Sequence, residues 1–301
     1  MKTTKTTNPA TQARLEKMRA ALSDREGLAE RILAKGDDMT AYDRRLLLEC
    51  VNVAYHEGSS KIEGIYSIDS SVTCDFCQCM RDAAKKNPLM ICGGCYAAAD
   101  SWKEAAWRRH KLNARILSEV LFSVEELATL AIGDRCRFNE DGDTVNDIMG
   151  INYLRIAASH PHTHFGYWYK NAPAVETALR AEGYHTRETL PQNIRFIHSS
   201  LLIGFQVAAL WFDDATFTVY PDEETTVAAV AAGALECNGK RYRSCGFTCY
   251  LMNRQPSAVN IAEVLRASKA TVKTIRAAYD AMKARKDART VNAAEWIRRL
   301  A

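Results

Sequence analysis

Apolar residues recur at helical spacing over Gln12–Lys35 and again over Tyr42–His56, where Leu46, Leu47, Cys50, Val51 and Ala54 share one face. Residues 1–10 are polar and predict a disordered tail, so residues 1–58 read as a tail and a helical lead-in. The period then shortens. Ile62, Gly64, Tyr66 and Ile68 alternate with Glu63, Ile65 and Ser67, which predicts a strand over Ile62–Ser67, and the Ser/Asp-rich stretch Asp69–Thr73 predicts a loop leading into the first cysteines. Tyr96–Leu121 is rich in Ala and Trp at helical spacing and predicts a long helix.

Beyond that helix the two periods alternate. Strands are predicted at Cys136–Asn139, His164–Tyr169, Ile194–His198 and Thr216–Tyr220, and helices at Asn146–Ser159, Ala172–Glu182 and Thr225–Ala234; Leu201–Leu210 fits neither period well. A β-α rhythm of this kind predicts an α/β fold with a parallel sheet. The expected architecture is a partial or complete parallel βα-barrel over residues 59–250, followed by a C-terminal helical region over 251–301. Ligand sites in such folds gather at the C-terminal ends of the strands, so the cysteine loop after the first strand and the polar loop Asn139–Thr144 after the second would share a rim.

Composition narrows the function classes. With 301 residues at 47% hydrophobic content the chain can bury a sizeable core. No apolar run approaches the ~20 residues that span a bilayer, and MKTTKTTNPATQ lacks the apolar segment of a secretory signal, so a cytoplasmic protein without a membrane partner is expected. The net charge of +4 favours anionic partners only slightly. Basic residues thicken between Arg266 and Arg299, where Lys269, Lys273, Arg276, Lys283, Arg285, Lys286, Arg289, Arg298 and Arg299 make either a solvated helix face or a nucleic-acid contact. There is no Walker loop, GxGxxG, HExxH or GxSxG, which leaves nucleotide hydrolysis, Rossmann redox and serine hydrolase chemistry unsupported.

The 10 cysteines are the main chemical signal. Five lie between Cys74 and Cys95 (TCDFCQCM, then CGGCYA) and three between Cys237 and Cys249 (ECNGKRYRSCGFTCY), while Cys50 and Cys136 stand alone and read as small buried apolar residues. A CxxC pair lets two thiolates converge on one metal, and Gly93 and Gly94 allow the tight turn between Cys92 and Cys95. Cys237, Cys245 and Cys249 need a fourth ligand from elsewhere to complete a tetrahedral site. The metal ligands expected are Cys77, Cys92, Cys95, Cys237, Cys245 and Cys249, holding zinc or an iron-sulfur cluster, which spacing does not separate; thiols packed without metal are the plain alternative.

Two polar groups add to this. Arg137, Asn139, Glu140, Asp141 and Asp143 in RCRFNEDGDT would bind a divalent cation or a substrate amine, or else Asp143 or Thr144 simply caps the next helix. His160, His162 and His164 alternate, so three imidazoles would point one way in an extended chain, against the alternative of an exposed turn set by Pro161.

At GIYSIDSSVTCDFC, ICGGCYA, RCRFNEDGDTVNDIMGINYLRIAASHPHTHFGYWYKN, TVYPD and CNGKRYRSCGFTC, the chain resembles the phage "gene product 88" family, over roughly Ile62 to Cys249. The order of strand, cysteine loop and βα units is also similar to the radical SAM superfamily, although the usual CxxxCxxC spacing is absent and Tyr96 follows the last cysteine instead of preceding it. The second resemblance implies that Cys77, Cys92 and Cys95 ligate three irons and that the fourth iron takes S-adenosylmethionine. Asn139, Asp141, Asp143 and Lys170, at the ends of the next two strands, would then face that cofactor or another small molecule. The competing expectation is a non-catalytic module in which zinc fixes the cysteine segments and the basic C-terminal helices contact nucleic acid or a protein.

Overall fold

The protein is described here by a computed structural model covering residues 9–57, 63–71, 73–94, 104–237, 248–251, 253–265 and 267–284. It opens with α1 (Pro9–Leu33) and α2 (Ala41–Cys50), followed by β1 (Ala54–Tyr55), β2 (Tyr66–Ile68) and α3 (Asp75–Ala84). The middle of the chain runs α4 (Glu104–Glu119), α5 (Val124–Leu127), β3 (Arg135–Phe138), α6 (Asp147–Ser159), β4 (His164–Tyr169), α7 (Ala172–Ala181) and β5 (Ile194–Ser199). It closes with β6 (Ala215–Tyr220), α8 (Glu223–Ala231), β7 (Leu235–Cys237), α9 (Thr248–Leu251), β8 (Val259–Val264) and α10 (Lys269–Ala284).

The eight strands form one sheet in the order β1-β2-β3-β4-β5-β6-β8-β7, parallel throughout except for the antiparallel β1–β2 pair. From β2 to β6 the strands sit in chain order, with helices in the connections as far as β5. Parallel register places Phe138 beside Tyr167 and Tyr167 beside Phe196 on one face. There they join Cys136, Phe165 and Ile194 and the buried faces of α2, α4, α6 and α7 in the main core. The opposite face carries a smaller cluster of Trp168, Ile197, Ala215 and Ile261, with Phe217, Cys237 and Cys249 against it. A third cluster, Met80, Leu89, Met90, Leu201–Ile203, Phe205, Ile275 and Tyr279, joins α3 and α10 to the segment after β5.

Several elements differ from the sequence expectation. The helix expected to His56 ends at Cys50, because the Asn113 side chain accepts the Asn52 N–H at 2.7 Å and donates to the Asn52 carbonyl at 2.9 Å, holding the chain extended into β1. The first cysteines lie on a helix, α3, rather than a loop; Cys74 is its N-cap, its Sγ accepting the Cys77 N–H at 3.4 Å. Leu201–Ile203 pairs across the fold with Leu89–Ile91, through Ile91 N–H to the Leu201 carbonyl (3.0 Å) and Ile203 N–H to the Leu89 carbonyl (2.8 Å). The region expected to be helical from residue 251 contains β8, which inserts between β6 and β7. Tyr96–Lys103, at the start of the expected long helix, lies outside the described residues.

Candidate functional site

The C-terminal ends of β2, β3 and β4 are held together by polar contacts between their loops. Asp69, which follows β2, accepts the N–H groups of Glu140 (2.8 Å) and Asp141 (3.2 Å) on Oδ1, and Ser70 N–H donates to the Asp141 carbonyl at 3.0 Å. Gly142 makes this approach feasible: its φ is +79°, and a Cβ there would lie 2.3 Å from the Ser70 carbonyl oxygen. Asn139 also takes a left-handed φ of 59°. Its amide donates to the Trp168 carbonyl at 3.1 Å and to Thr144 Oγ1 at 3.2 Å, and its carbonyl accepts the Tyr153 hydroxyl at 3.0 Å. Asn139 therefore ties β3 to β4 with both ends of its amide engaged.

Asp143 is 1% exposed and accepts the N–H groups of Thr144 (2.8 Å), Lys170 (2.9 Å) and Asn171 (3.2 Å). Burial raises its pKa above the ordinary carboxylate value, opposed by Lys170 and by these N–H donors. The helix cap expected of Asp143 or Thr144 is supplied instead by Asn146, whose side chain accepts the Met149 N–H at 3.0 Å.

The first cysteines sit over this edge. Cys77 N–H donates to the Cys74 sulfur at 3.4 Å, and Asp143 and Lys170 are close enough to act electrostatically on the Cys77 thiol. Interaction with the Cys77 side chain lowers the Cys74 pKa, while interaction with Cys74 and burial push Cys77 well up. Cys79 and Cys92 pack at the margin of the third apolar cluster, and Cys92 lies on a short 3-10 turn against α3. Cys237, at the end of β7, and Cys249, on α9, both border the apolar cluster on the sheet face opposite the main core. Cys95 and Cys245 lie outside the described residues. Cys50 and Cys136 are buried, as expected of small apolar residues.

The histidine triplet lies at the other end of β4. His160 caps α6, with Nδ1 3.0 Å from the Ile156 carbonyl and Nε2 2.9 Å from that of Leu130; His162 and His164 are exposed. On α10, Arg276 is engaged by Asp222 (2.5 Å) and Asp280 (3.1 Å), and the helix buries Ile275 and Tyr279. Lys269, Lys273 and Lys283 are exposed on the same helix, and Arg285, Lys286, Arg289, Arg298 and Arg299 lie outside the described residues.

Three polar residues of the rim escaped sequence reasoning: His56, Asp69 and His110. His56 lies 3.4 Å from Glu140, and His110 lies 3.7 Å from Asp69 and 3.6 Å from Asp141. Each stands alone in its own segment, so no local spacing marks it. No described helix is long and apolar enough to cross a membrane. No family model, curated protein or solved structure matches this chain.

Proposed function

We propose that this chain is a phage gene product 88-type protein that holds a metal ion or an iron-sulfur cluster through its cysteines at the C-terminal edge of the sheet. The observation that carries this reading is the first turn of α3, which brings Cys74 and Cys77 together with the Cys77 N–H on the Cys74 sulfur at 3.4 Å, and with Asp143 and Lys170 close enough to act on the Cys77 thiol. Two adjacent thiols in a half-buried position repel one another once deprotonated, and a cation between or beside them removes that penalty. Lys170 supplies one such positive charge. Cys77 would be a ligand together with Cys95 and with Cys92 of the following turn, and Cys237, Cys245 and Cys249 would complete this centre or form a second.

The strand order from β2 to β6 supports a partial βα-barrel, in which the edge carrying Cys77 is the ligand-binding end. An iron-sulfur cluster there would supply an open iron and, in a radical SAM-like enzyme, reductive cleavage of S-adenosylmethionine. The chain's own part is to hold the thiolates, with Asp141 and Lys170 facing the charged groups of the small molecule, while Asn139 and Asp143 keep the loops in place.

The test is elemental analysis and absorption spectroscopy of the full chain purified without air, beside a Cys92→Ser/Cys95→Ser variant. Iron with acid-labile sulfide, reduced in the variant, is the expected result. Stoichiometric zinc would support the zinc-stabilised interaction module in its place, and no metal in either protein would overturn both readings.

A further inference from the structure

We infer that the rim carries a second metal site, separate from the cysteines, in which His56, Asp69 and Glu140 bind a divalent transition-metal ion of zinc's kind with His110 as a fourth ligand. One nitrogen of His56 and one carboxylate oxygen each from Asp69 and Glu140 lie within 4.8 Å of one another. They come from three segments: the residue after β1, the end of β2 and the loop after β3. His110, on α4, lies beside Asp69 but outside that group of three, and would complete the set by a shift of its side chain.

Spacing fits the ion. Zinc bonds of about 2.0–2.1 Å to nitrogen and oxygen put tetrahedral ligands ~3.4 Å apart. His56 Nε2 is 3.4 Å from Glu140 Oε2, and His110 Nε2 is 3.7 Å from Asp69 Oδ2. Two imidazoles with two carboxylates suit zinc or its neighbours better than calcium or magnesium, which prefer all-oxygen sets.

The surroundings also resemble those of a metal centre. His110 presents Nδ1 to Asp141 Oδ2 at 3.6 Å, just beyond a hydrogen bond, from where a small shift gives the carboxylate–histidine arrangement that orients a metal-bound ring. Asp69, 3% exposed, has Oδ1 fixed by two backbone N–H groups and Oδ2 fixed by Ser67 Oγ at 2.6 Å, and Asn113 donates to its carbonyl at 3.2 Å. Ser67 Oγ donates to Asp69 and so accepts from His56 Nε2 at 2.7 Å; this places a proton on the nitrogen that the ion would take. Binding of the ion at Nε2 moves the proton of the neutral ring to Nδ1 and releases the hydrogen bond to Ser67. A merely structural hydrogen-bond network needs neither the second imidazole nor the carboxylate behind it.

Cobalt(II) titration of the full chain tests the site, because thiolate-bound cobalt shows intense sulfur charge-transfer absorption and imidazole–carboxylate cobalt does not. The expected result is one equivalent of cobalt whose ligand-field bands come without sulfur charge transfer, in addition to any cobalt that the cysteines bind with it, and that zinc displaces. Glu140→Gln and His56→Gln, both at partly exposed positions, should abolish that equivalent with circular dichroism unchanged, and Asp141→Asn should weaken it ~10–100-fold, the usual effect of losing such an outer partner. Cys77→Ser should leave it intact, so loss of the cysteine centre and loss of this one are read separately. Cobalt that binds only with sulfur charge transfer, or uptake unchanged in the Glu140 and His56 variants, would overturn the inference.

Discussion

Asn139 holds a backbone conformation that most side chains resist, with φ at 59°, and its amide joins β3, β4 and α6 in one place. Substitution by Ala loses the local tolerance of asparagine for this region and leaves the Trp168 carbonyl and the Tyr153 hydroxyl without that partner. We expect Asn139→Ala to cost about 2–4 kcal/mol in urea unfolding, as the sum of two or three hydrogen bonds with buried groups left unmatched. Asn139→Gly, which relaxes the backbone but also lacks the amide, should recover only a small part of this. An Ala variant as stable as the parent would show that the amide is replaceable by water. The loop around Asn139 was legible in the sequence as a polar group at a strand end. The partners were not, since Trp168 and Tyr153 lie far along the chain and on other elements.

At the scale of elements, α2 shows how a local signature acts through charge. Thr40 and Asp43 form a capping box, the Thr40 hydroxyl accepting the Asp43 N–H at 3.2 Å and Asp43 accepting the Thr40 N–H at 2.9 Å. Lys35 bonds the same carboxylate at 2.6 Å, and chiefly for that reason the Asp43 pKa falls from 3.8 to about 2. A depressed carboxylate pKa means that the folded state binds its proton less tightly than the unfolded state. The stabilisation is therefore present above pH 3.8 and lost as the pH falls toward about 2. Thermal unfolding of Asp43→Asn should show a lower midpoint than the parent near neutrality and converge with it in that acid window. Parallel curves down to the lowest pH would mean that the cap works without its charge. The start of this helix was readable as an apolar period, but its end was not. Asn113, on α4, stops it by bonding both backbone groups of Asn52.

At the scale of the whole molecule, α10 is docked across the C-terminal side by a packing contact and an ion pair. Tyr279 lies so close to Gly204 that a Cβ there would be 2.4 Å from the ring, and Gly204 has a φ of +82°. Arg276 meanwhile bonds Asp222, the N-cap of α8. Gly204→Ala meets both backbone strain and the ring, and should loosen α10 selectively. Limited proteolysis is expected to cut the variant first near α10, with the β3–β5 core still protected, and global stability should fall by about 1–3 kcal/mol, within the range of a strained or overpacked site. Cleavage spread evenly over the chain would mean that α10 does not open as a unit.

What the sequence determined by itself was the local layer of this protein: which stretches alternate at the strand or helix period from β3 to β6, that the sheet is mainly parallel, and that the loop after β3 is polar. These follow from side chains within a few positions of one another, which share a face whatever the rest of the chain does. Tertiary structure alone decided the placement of β8 between β6 and β7, the helical setting of Cys74 and Cys77, and the meeting of His56, Asp69, His110 and Glu140. Each of these depends on hydrogen bonds and register between segments distant in the chain, and a sequence period carries no record of which strand edge or carboxylate a residue will meet once the sheet is assembled.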